Sequence, residues 1–241
     1  MAARTFFRAF TIQGSWNYRN MIGNGFAFAL LPVLRALYDG DRLDQAVERH
    51  AEHFNAHPYL TNVALGAVAR MEAEGRDPEL VQRFKQAVGG PLGGLGDTLV
   101  WATLLPSTLL LALILAWVGV RPWLVVLTFL ALYNAGHLAL RIWAFRLGLR
   151  EGKDVAIHLR RARLGGRAEE LARLGSFLVG VFLGLVVLSE PGLGDPRWFG
   201  TLLAAAAVGV GVWSGQRAWR PTALAVVGVV AAILATRAFL Q

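Results

Sequence analysis

Apolar residues are not spread evenly along this chain. From residue 99 onward they gather into five runs, at about 99–118, 123–140, 174–188, 199–215 and 222–240. A helix needs about 20 such residues to cross the hydrocarbon core of a bilayer, so the runs predict about five C-terminal membrane helices. The front of the chain reads differently. Residues 1–20, "MAARTFFRAFTIQGSWNYRN", mix arginine with Phe, Trp and Tyr, which predicts an N-terminal amphipathic helix lying at a membrane surface. Residues 21–37, "MIGNGFAFALLPVLRAL", are apolar but interrupted by Gly23, Gly25 and Pro32. The stretch is short for a span and predicts a re-entrant hairpin, because broken backbone at membrane depth survives only where protein buries it or it lines a cavity.

Between residues 39 and 98 the pattern is polar and helical. "DGDRLDQAVERHAEHFNAH" reads as one amphipathic helix, with Leu43, Val47, Ala51 and Phe54 at the helical period and Pro58 ending it. "YLTNVALGAVARMEAEG" begins a second helix that stops at Gly75, and "DPELVQRFKQAV" predicts a third, from about Asp77 to Val88. The glycines of "GGPLGGLGD", residues 89–97, predict a sharp break, with Asp97 as the N-cap of the next helix. On this reading residues 1–98 hold the amphipathic segment, the hairpin and a cytoplasmic helical region, and residues 99–241 form the transmembrane region.

Composition strengthens the membrane reading. Hydrophobic residues make up 55% of the 241 and charged residues 17%, against about 25% charged in soluble domains. Mean hydropathy is +0.47, which excludes an ordinary soluble enzyme. The net charge is +8. In a membrane protein such an excess marks cytoplasmic loops, and without interleaved basic and aromatic residues no nucleic-acid partner is expected. Residues 141–173 carry Arg141, Arg146, Arg150, Lys153, Arg160, Arg161, Arg163, Arg167 and Arg173 against four acids, which predicts a basic cytoplasmic loop. Alternation then puts residues 189–198 outside and Arg217 and Arg220 inside. No cleaved signal peptide is expected from the first residues.

The chain has no cysteine, so disulfides, thiolate catalysis and Cys-based zinc sites are excluded. Serine is scarce, no carboxylate pair sits in an obvious pocket, and "GPLGGLGDTLVW" lacks the G-K-[ST] of a phosphate-binding loop. No catalytic residue and no cofactor are expected on this chain.

Three of the five histidines fall within "RHAEHFNAHPYL", residues 49–60. On a continuous helix His50, His53 and His57 would share an arc of about 60° and form a ridge along a buried face. Two turns, about 10 Å, would separate His50 from His57, and neither spacing is the i, i+4 pair of a helical metal site, so no metal is expected. Two readings stay open. The histidines bond to neighbouring helices, or "FNAHP" ends the helix at a polar patch where Asn55 and His57 donate to a ligand or partner. Asp97 is either a plain cap or a partly buried group on a polar pathway. Asn134 and His137 interrupt the second apolar run on one face and predict a polar partner in another subunit, with Arg141 snorkelling to the headgroups. Gln13, Asn17 and Asn24 complete the candidates for substrate path or partner contact.

Four segments carry a family likeness. "FTIQGSWNYRNMIGNGFAFALLPVLRALY" resembles the N-terminal signature of the IID membrane component of the mannose/fructose/sorbose-family sugar phosphotransferase system. "RHAEHFNAHPYLTNVALGAVARMEAEG" is similar to its R-H-x-x-[FY]-F-N-T-H-P segment and the small-residue helix after it. "GGPLGGLGDTLVWATLLP" is similar to its G-P-[LM]-[AS]-G-[IL]-G-D-[ST] segment, and "YNAGHLALRIWAFRLGLREGKDV" to the arginine stretch and glycine turn that follow. The motifs occur in family order across residues 6–155, with His53 and Ala56 departing from the pattern.

The resemblance implies a non-catalytic subunit that pairs with a second membrane protein, IIC, to translocate a hexose, in a symmetric hetero-oligomer in the bacterial inner membrane. The phosphoryl group would travel through histidines of the IIA and IIB carriers and not through this chain. The alternative is a membrane scaffold or regulatory anchor for those carriers, without transport. The expected architecture is all-α and polytopic: an N-terminal amphipathic helix, a re-entrant hairpin, cytoplasmic helices and about five C-terminal membrane helices among membrane lipids.

Overall fold

A computed structural model describes residues 1–189, with side chains through 186. Among these residues the chain is helical, with nine α-helices and two isolated β-bridges. The helices are α1 (Ala2–Arg8), α2 (Gly23–Leu37), α3 (Gly40–Ala51), α4 (Thr61–Ala73), α5 (Pro78–Gly96), α6 (Leu105–Trp117), α7 (Pro122–Glu151), α8 (Val155–Arg161) and α9 (Leu164–Ser189). Two compact units emerge: Met1–Thr98 with Gly136–Leu164, and Leu99–Ala135 with the described residues from Gly165 on.

The first unit is built around α4. Eleven of its thirteen residues are buried, Asn62 and Glu72 included, so it has no polar face to give it amphipathicity, as expected of a helix enclosed on all sides. Small residues let neighbours come close. A Cβ at Gly148 on α7 would lie 2.7 Å from the Ala67 nitrogen and against the Val63 carbonyl, and one at Gly66 would meet the Phe145 carbonyl. The two backbones touch with no side chain between them, the small-residue contact known from membrane helices. α4 ends as the sequence predicts. Gly75 takes φ +63°, and the bonds Gly75 N–H to Glu72 O (3.0 Å) and Arg76 N–H to Met71 O (3.0 Å) close a Schellman motif. Phe26, Leu30, Leu34, Leu60, Leu65 and Leu92 complete the core, each worth about 1.5–3 kcal/mol on burial.

Three expectations fail in this unit. The hairpin expected at residues 21–37 is a single helix, α2, that passes through Pro32. Gly23 and Gly25 do not break it; they let α2 lie directly on the Glu52 and Ile12 carbonyls. The amphipathic helix expected to run to His57 stops at Ala51. Beyond it the chain is extended and pairs with the segment before α2: Ile22 N–H donates to Phe54 O (3.0 Å) and Phe54 N–H to Asn20 O (3.2 Å). Non-local pairing outweighs the helical period there, so the ridge of three imidazoles does not form. The break expected at residues 89–97 is also absent. Asp77 caps α5 by accepting from Glu79 N–H (3.2 Å), and helical winding then continues from Pro78 to Trp117. Asp97 is therefore no N-cap. It opens a π-helical stretch, Asp97–Leu104, that leads into α6.

In the second unit, Ser107 on α6 donates to the Leu171 carbonyl on α9 (3.3 Å) and Trp117 meets Phe182 edge-on. Much apolar surface stays uncovered: Leu109, Leu113 and Trp117 on α6, and Trp123, Val126, Leu127 and Leu130 on α7. The helical runs Pro78–Trp117 and Pro122–Arg161 are both long and apolar enough to cross a membrane, and the apolar window of the second is unburied. A core helix of a soluble protein would bury that window. The basic stretch 141–173, expected as a loop, is helical for most of its length, because α7 continues to Glu151 and α8 and α9 follow closely. The third apolar run lies on α9. The runs at 199–215 and 222–240, residues 190–198, Arg217 and Arg220 lie outside the described residues.

Candidate functional site

The "EHFNAHPYL" segment links α3 to α4, and both its ends are pinned. Asn20 donates to the last carbonyl of α3, Ala51 O (3.0 Å), and to Asn24 Oδ1 (2.8 Å). At the other end, the Thr61 hydroxyl and N–H both bond to His57 O (2.9 and 2.8 Å), and Asn62 donates to Tyr59 O (2.9 Å). Asn and Thr side chains bonding to nearby backbone are what hold such turns.

His57 sits at the centre of a polar and aromatic cluster in the first unit. It is 2% exposed. Its ring is so close to α5 that a Cβ at Gly96 would collide with His57 Cβ and Cγ, so only glycine fits at residue 96. Tyr59 N–H donates to His57 Nδ1 (3.2 Å), which places the ring proton on Nε2. Burial, helped by the nearby Arg141 charge, lowers the His57 pKa to about 4, and the ring is neutral at pH 7. Tyr59 packs edge-on against His57 and stacks on His137, with centroids 5.0 and 4.9 Å apart. The Arg141 guanidinium lies 4.5 Å from the Tyr59 ring and 4.6 Å from that of Phe10 and donates to Ala9 O (3.2 Å). Arg141 is thus buried, not snorkelling, and His137 stacks on Tyr59 of its own chain.

A second cluster lies between α2, α3, α4 and α5. The Glu72 carboxylate accepts from Tyr38 Oη (2.7 Å), Arg49 (2.9 Å) and His50 Nε2 (2.8 Å). Burial alone would raise its pKa, but these hydrogen bonds outweigh it and hold the carboxyl at about 2. Burial lowers His50 to about 4 against the pull of Glu72, so a neutral ring donates Nε2–H to the carboxylate. Burial and the bond to Glu72 raise the Tyr38 pKa. Lys85 on α5, also buried, donates to the carbonyls of Arg49 (3.3 Å) and His50 (3.2 Å). A cation on the last carbonyls of α3 offsets the negative end of its dipole. The carboxylate on α4 ties together α3 and the end of α2, and Lys85 ties α5 to the last carbonyls of α3.

The candidate residues fall in several places. His57 and His137 meet through Tyr59. Asn55 and Asp97 are exposed, and each is next to a packed glycine: Gly89 lies under the Asn55 carbonyl, and Gly96 under His57. Asn17 organises its own turn by accepting from Arg19 and Asn20 N–H (2.9 and 3.1 Å). Asn24 accepts from Asn20, and Gln13 is exposed. Asn134, on α7, donates to the Leu130 carbonyl one turn back (2.6 Å). Sequence reasoning missed Glu72, Lys85, Tyr59 and Asn20. The one signal for Glu72 and Lys85 was a charge at a core position of an otherwise small and apolar helical face.

Comparison with known proteins agrees with the motif likeness. The profile of the family described as PTS system mannose/fructose/sorbose family IID component matches residues 1–190. The chain is 30% identical over 186 residues to the fructose permease IID component of Bacillus subtilis (strain 168), covering 74% of this chain and 66% of the relative. It is 32% identical over 185 residues to the mannose-specific EIID component of Escherichia coli (strain K12), covering 74% and 65%. The matched stretch thus spans just under two thirds of these relatives' length. A chain in the cryo-electron-microscopy structure of the mannose transporter ManYZ with microcin E492 superposes with a TM-score of 0.60 at 25% identity, covering 98% of this chain and 95% of that one. Motifs in family order, the helical architecture and a profile match over residues 1–190 together make this chain a member of the mannose/fructose/sorbose family of PTS IID components.

Proposed function

We propose that this chain is the IID-type membrane subunit of a phosphoenolpyruvate-dependent sugar phosphotransferase complex, pairing with a IIC-type subunit to move a hexose across the bacterial inner membrane. The family match over residues 1–190 carries this reading. The apolar faces left open on α6 and α7 support it, since they need lipid or a partner chain to cover them. The basic residues of 141–173 favour a cytoplasmic position for α8 and the start of α9.

The chain itself has a positioning role, and neither His50 nor His57 serves as a phosphocarrier. A phosphocarrier histidine must meet its donor, yet His50 and His57 are closed in by packed side chains and held neutral. His57, Tyr59 and Arg141 fix the loop that presents Asn55, while the glycine contact at residue 96 fixes Asp97 at the start of the π-helical stretch. π-Helical segments recur at functional positions because the widened turn re-aims side chains. Asn55 and Asp97 are the residues we assign to substrate or partner contact.

Uptake of radiolabelled hexose by vesicles holding this chain, its IIC partner and the soluble carriers tests the assignment. Asn55→Ala and Asp97→Ala are expected to lower uptake several-fold at unchanged membrane insertion. Full uptake by both variants would remove these residues from the path, and no uptake by the wild-type complex would overturn the transport reading.

A further inference from the structure

The first 38 residues hold four arginines and no aspartate or glutamate. Three of these arginines converge. Arg4 and Arg8, one turn apart on α1, and Arg35 near the end of α2 line a cavity of about 150 Å³ with Met1 and Pro32. None of the three has an ion-pair partner among the described residues, although Arg49, Arg70, Arg76 and Arg83 all pair with glutamates. Like charges at i, i+4 repel, and a third cation facing the same space adds to the cost. An anion in the cavity removes it.

The geometry suits a phosphate. Guanidinium groups present planar forks that match phosphate oxygens in pairs. A cavity needs about 10–15 Å³ to hold one water, so this one admits a tetrahedral group with room to spare. Arg8 is already held: it donates to the Phe28 carbonyl (3.3 Å) and lies 4.7 Å over the Phe28 ring. Phe28 and Phe7 are themselves exposed. A charged cavity beside bare aromatic surface suits a molecule with a phosphate at one end and hydrocarbon at the other.

We propose that Arg4, Arg8 and Arg35 form a binding pocket for the phosphate of an anionic phospholipid, whose acyl chains run along Phe28 and Phe7. The pocket rests on the membrane reading above. It would hold α1 in the headgroup layer, where arginines beside a bilayer gain from anionic lipid.

The test uses the full chain purified in detergent with its IIC partner. Retention of phosphatidylglycerol is read by native mass spectrometry, and melting temperature is read on addition of phosphatidylglycerol, phosphatidylcholine or inorganic phosphate at matched ionic strength. Wild type is expected to retain phosphatidylglycerol and to be stabilised by it alone. Arg4→Gln/Arg35→Gln is expected to bind it about 30-fold more weakly, and Arg19→Gln/Arg42→Gln, a control of equal charge, to bind as wild type. Should the first pair fail to fold, Arg4→Lys/Arg35→Lys keeps the charge, loses the fork and is expected to bind with intermediate affinity. Equal binding of phosphatidylglycerol and phosphatidylcholine, or equal loss in the control pair, overturns the pocket while leaving the transport reading intact. Stabilisation by inorganic phosphate alone overturns the assignment to lipid.

Discussion

Replacing Glu72 with glutamine probes the link between the buried carboxylate and the first unit. The change keeps the volume and one oxygen but removes the charge that Tyr38, Arg49 and His50 share. Two routes give the size of the effect. Removing one partner of a buried ion pair costs about 3–5 kcal/mol. Separately, a carboxyl held at about 2 instead of 4.5 is shifted by 4.5 − 2 = 2.5, or roughly 3 kcal/mol of native-state stability at neutral pH. Both put the loss near 3 kcal/mol, which in a chain of this size lowers the melting temperature by about 6–12 °C. The assay is thermal unfolding in detergent, followed by tryptophan fluorescence, at pH 7 and at steps down to pH 3. Because the folded-state pKa is depressed, the carboxylate contribution is complete above about pH 4.5 and fades as the pH falls toward 2. The gap between wild type and Glu72→Gln is therefore expected to narrow below pH 4.5. A variant that melts with wild type at pH 7, or a gap that ignores pH in this window, would refute the reasoning.

Three further outcomes follow from the packing. Gly148→Ala drives a methyl into the Val63 carbonyl and Ala67 nitrogen, both fixed backbone, and is expected to cost at least the about 1–3 kcal/mol of overpacking; wild-type melting would show that α4 and α7 are not in backbone contact. Gly96→Ala is expected to displace His57 and lower both melting temperature and uptake, whereas Gly94→Ala, with open space around it, is expected to leave both unchanged. His57 is held at about 4 in the fold against 6.5 when exposed, so its contribution to stability is complete above pH 6.5 and is lost as pH falls toward 4, roughly 3 kcal/mol by the lower limit; a His57→Asn variant whose stability drops as steeply as wild type between these values would contradict this.

Local chemistry in the sequence located the helices well wherever it acted alone. Gly75 ended α4 and Asp77 with Pro78 began α5, because a left-handed glycine and a capped proline need only their neighbours. The sequence misled where long-range contact decides the outcome. Phe54 has the right spacing for α3, but its backbone bonds to Asn20 and Ile22, so the histidine periodicity described a helix that does not exist. Gly23, Gly25 and Gly96, which read as breaks in "MIGNGF" and "GGLGD", are contact points between packed segments, which single-chain spacing cannot distinguish. Of the candidate site, His57 and His137 come together, but Tyr59 and Arg141 join them only through the fold. Glu72 was marked only by its place on the apolar face of α4, and its partners come from α3 and the end of α2, which the fold alone brings to it.

The enclosure of α4 divides the meaning of sequence change along this chain. Lipid, sugar and partner protein all act from outside, and between Val63 and Val68 no atom is presented to any of them. A substitution there can alter only whether the polypeptide assembles. Defects in the recognition proposed above are expected instead at rim positions such as Asn55, Asp97 and the arginines of α1 and α2.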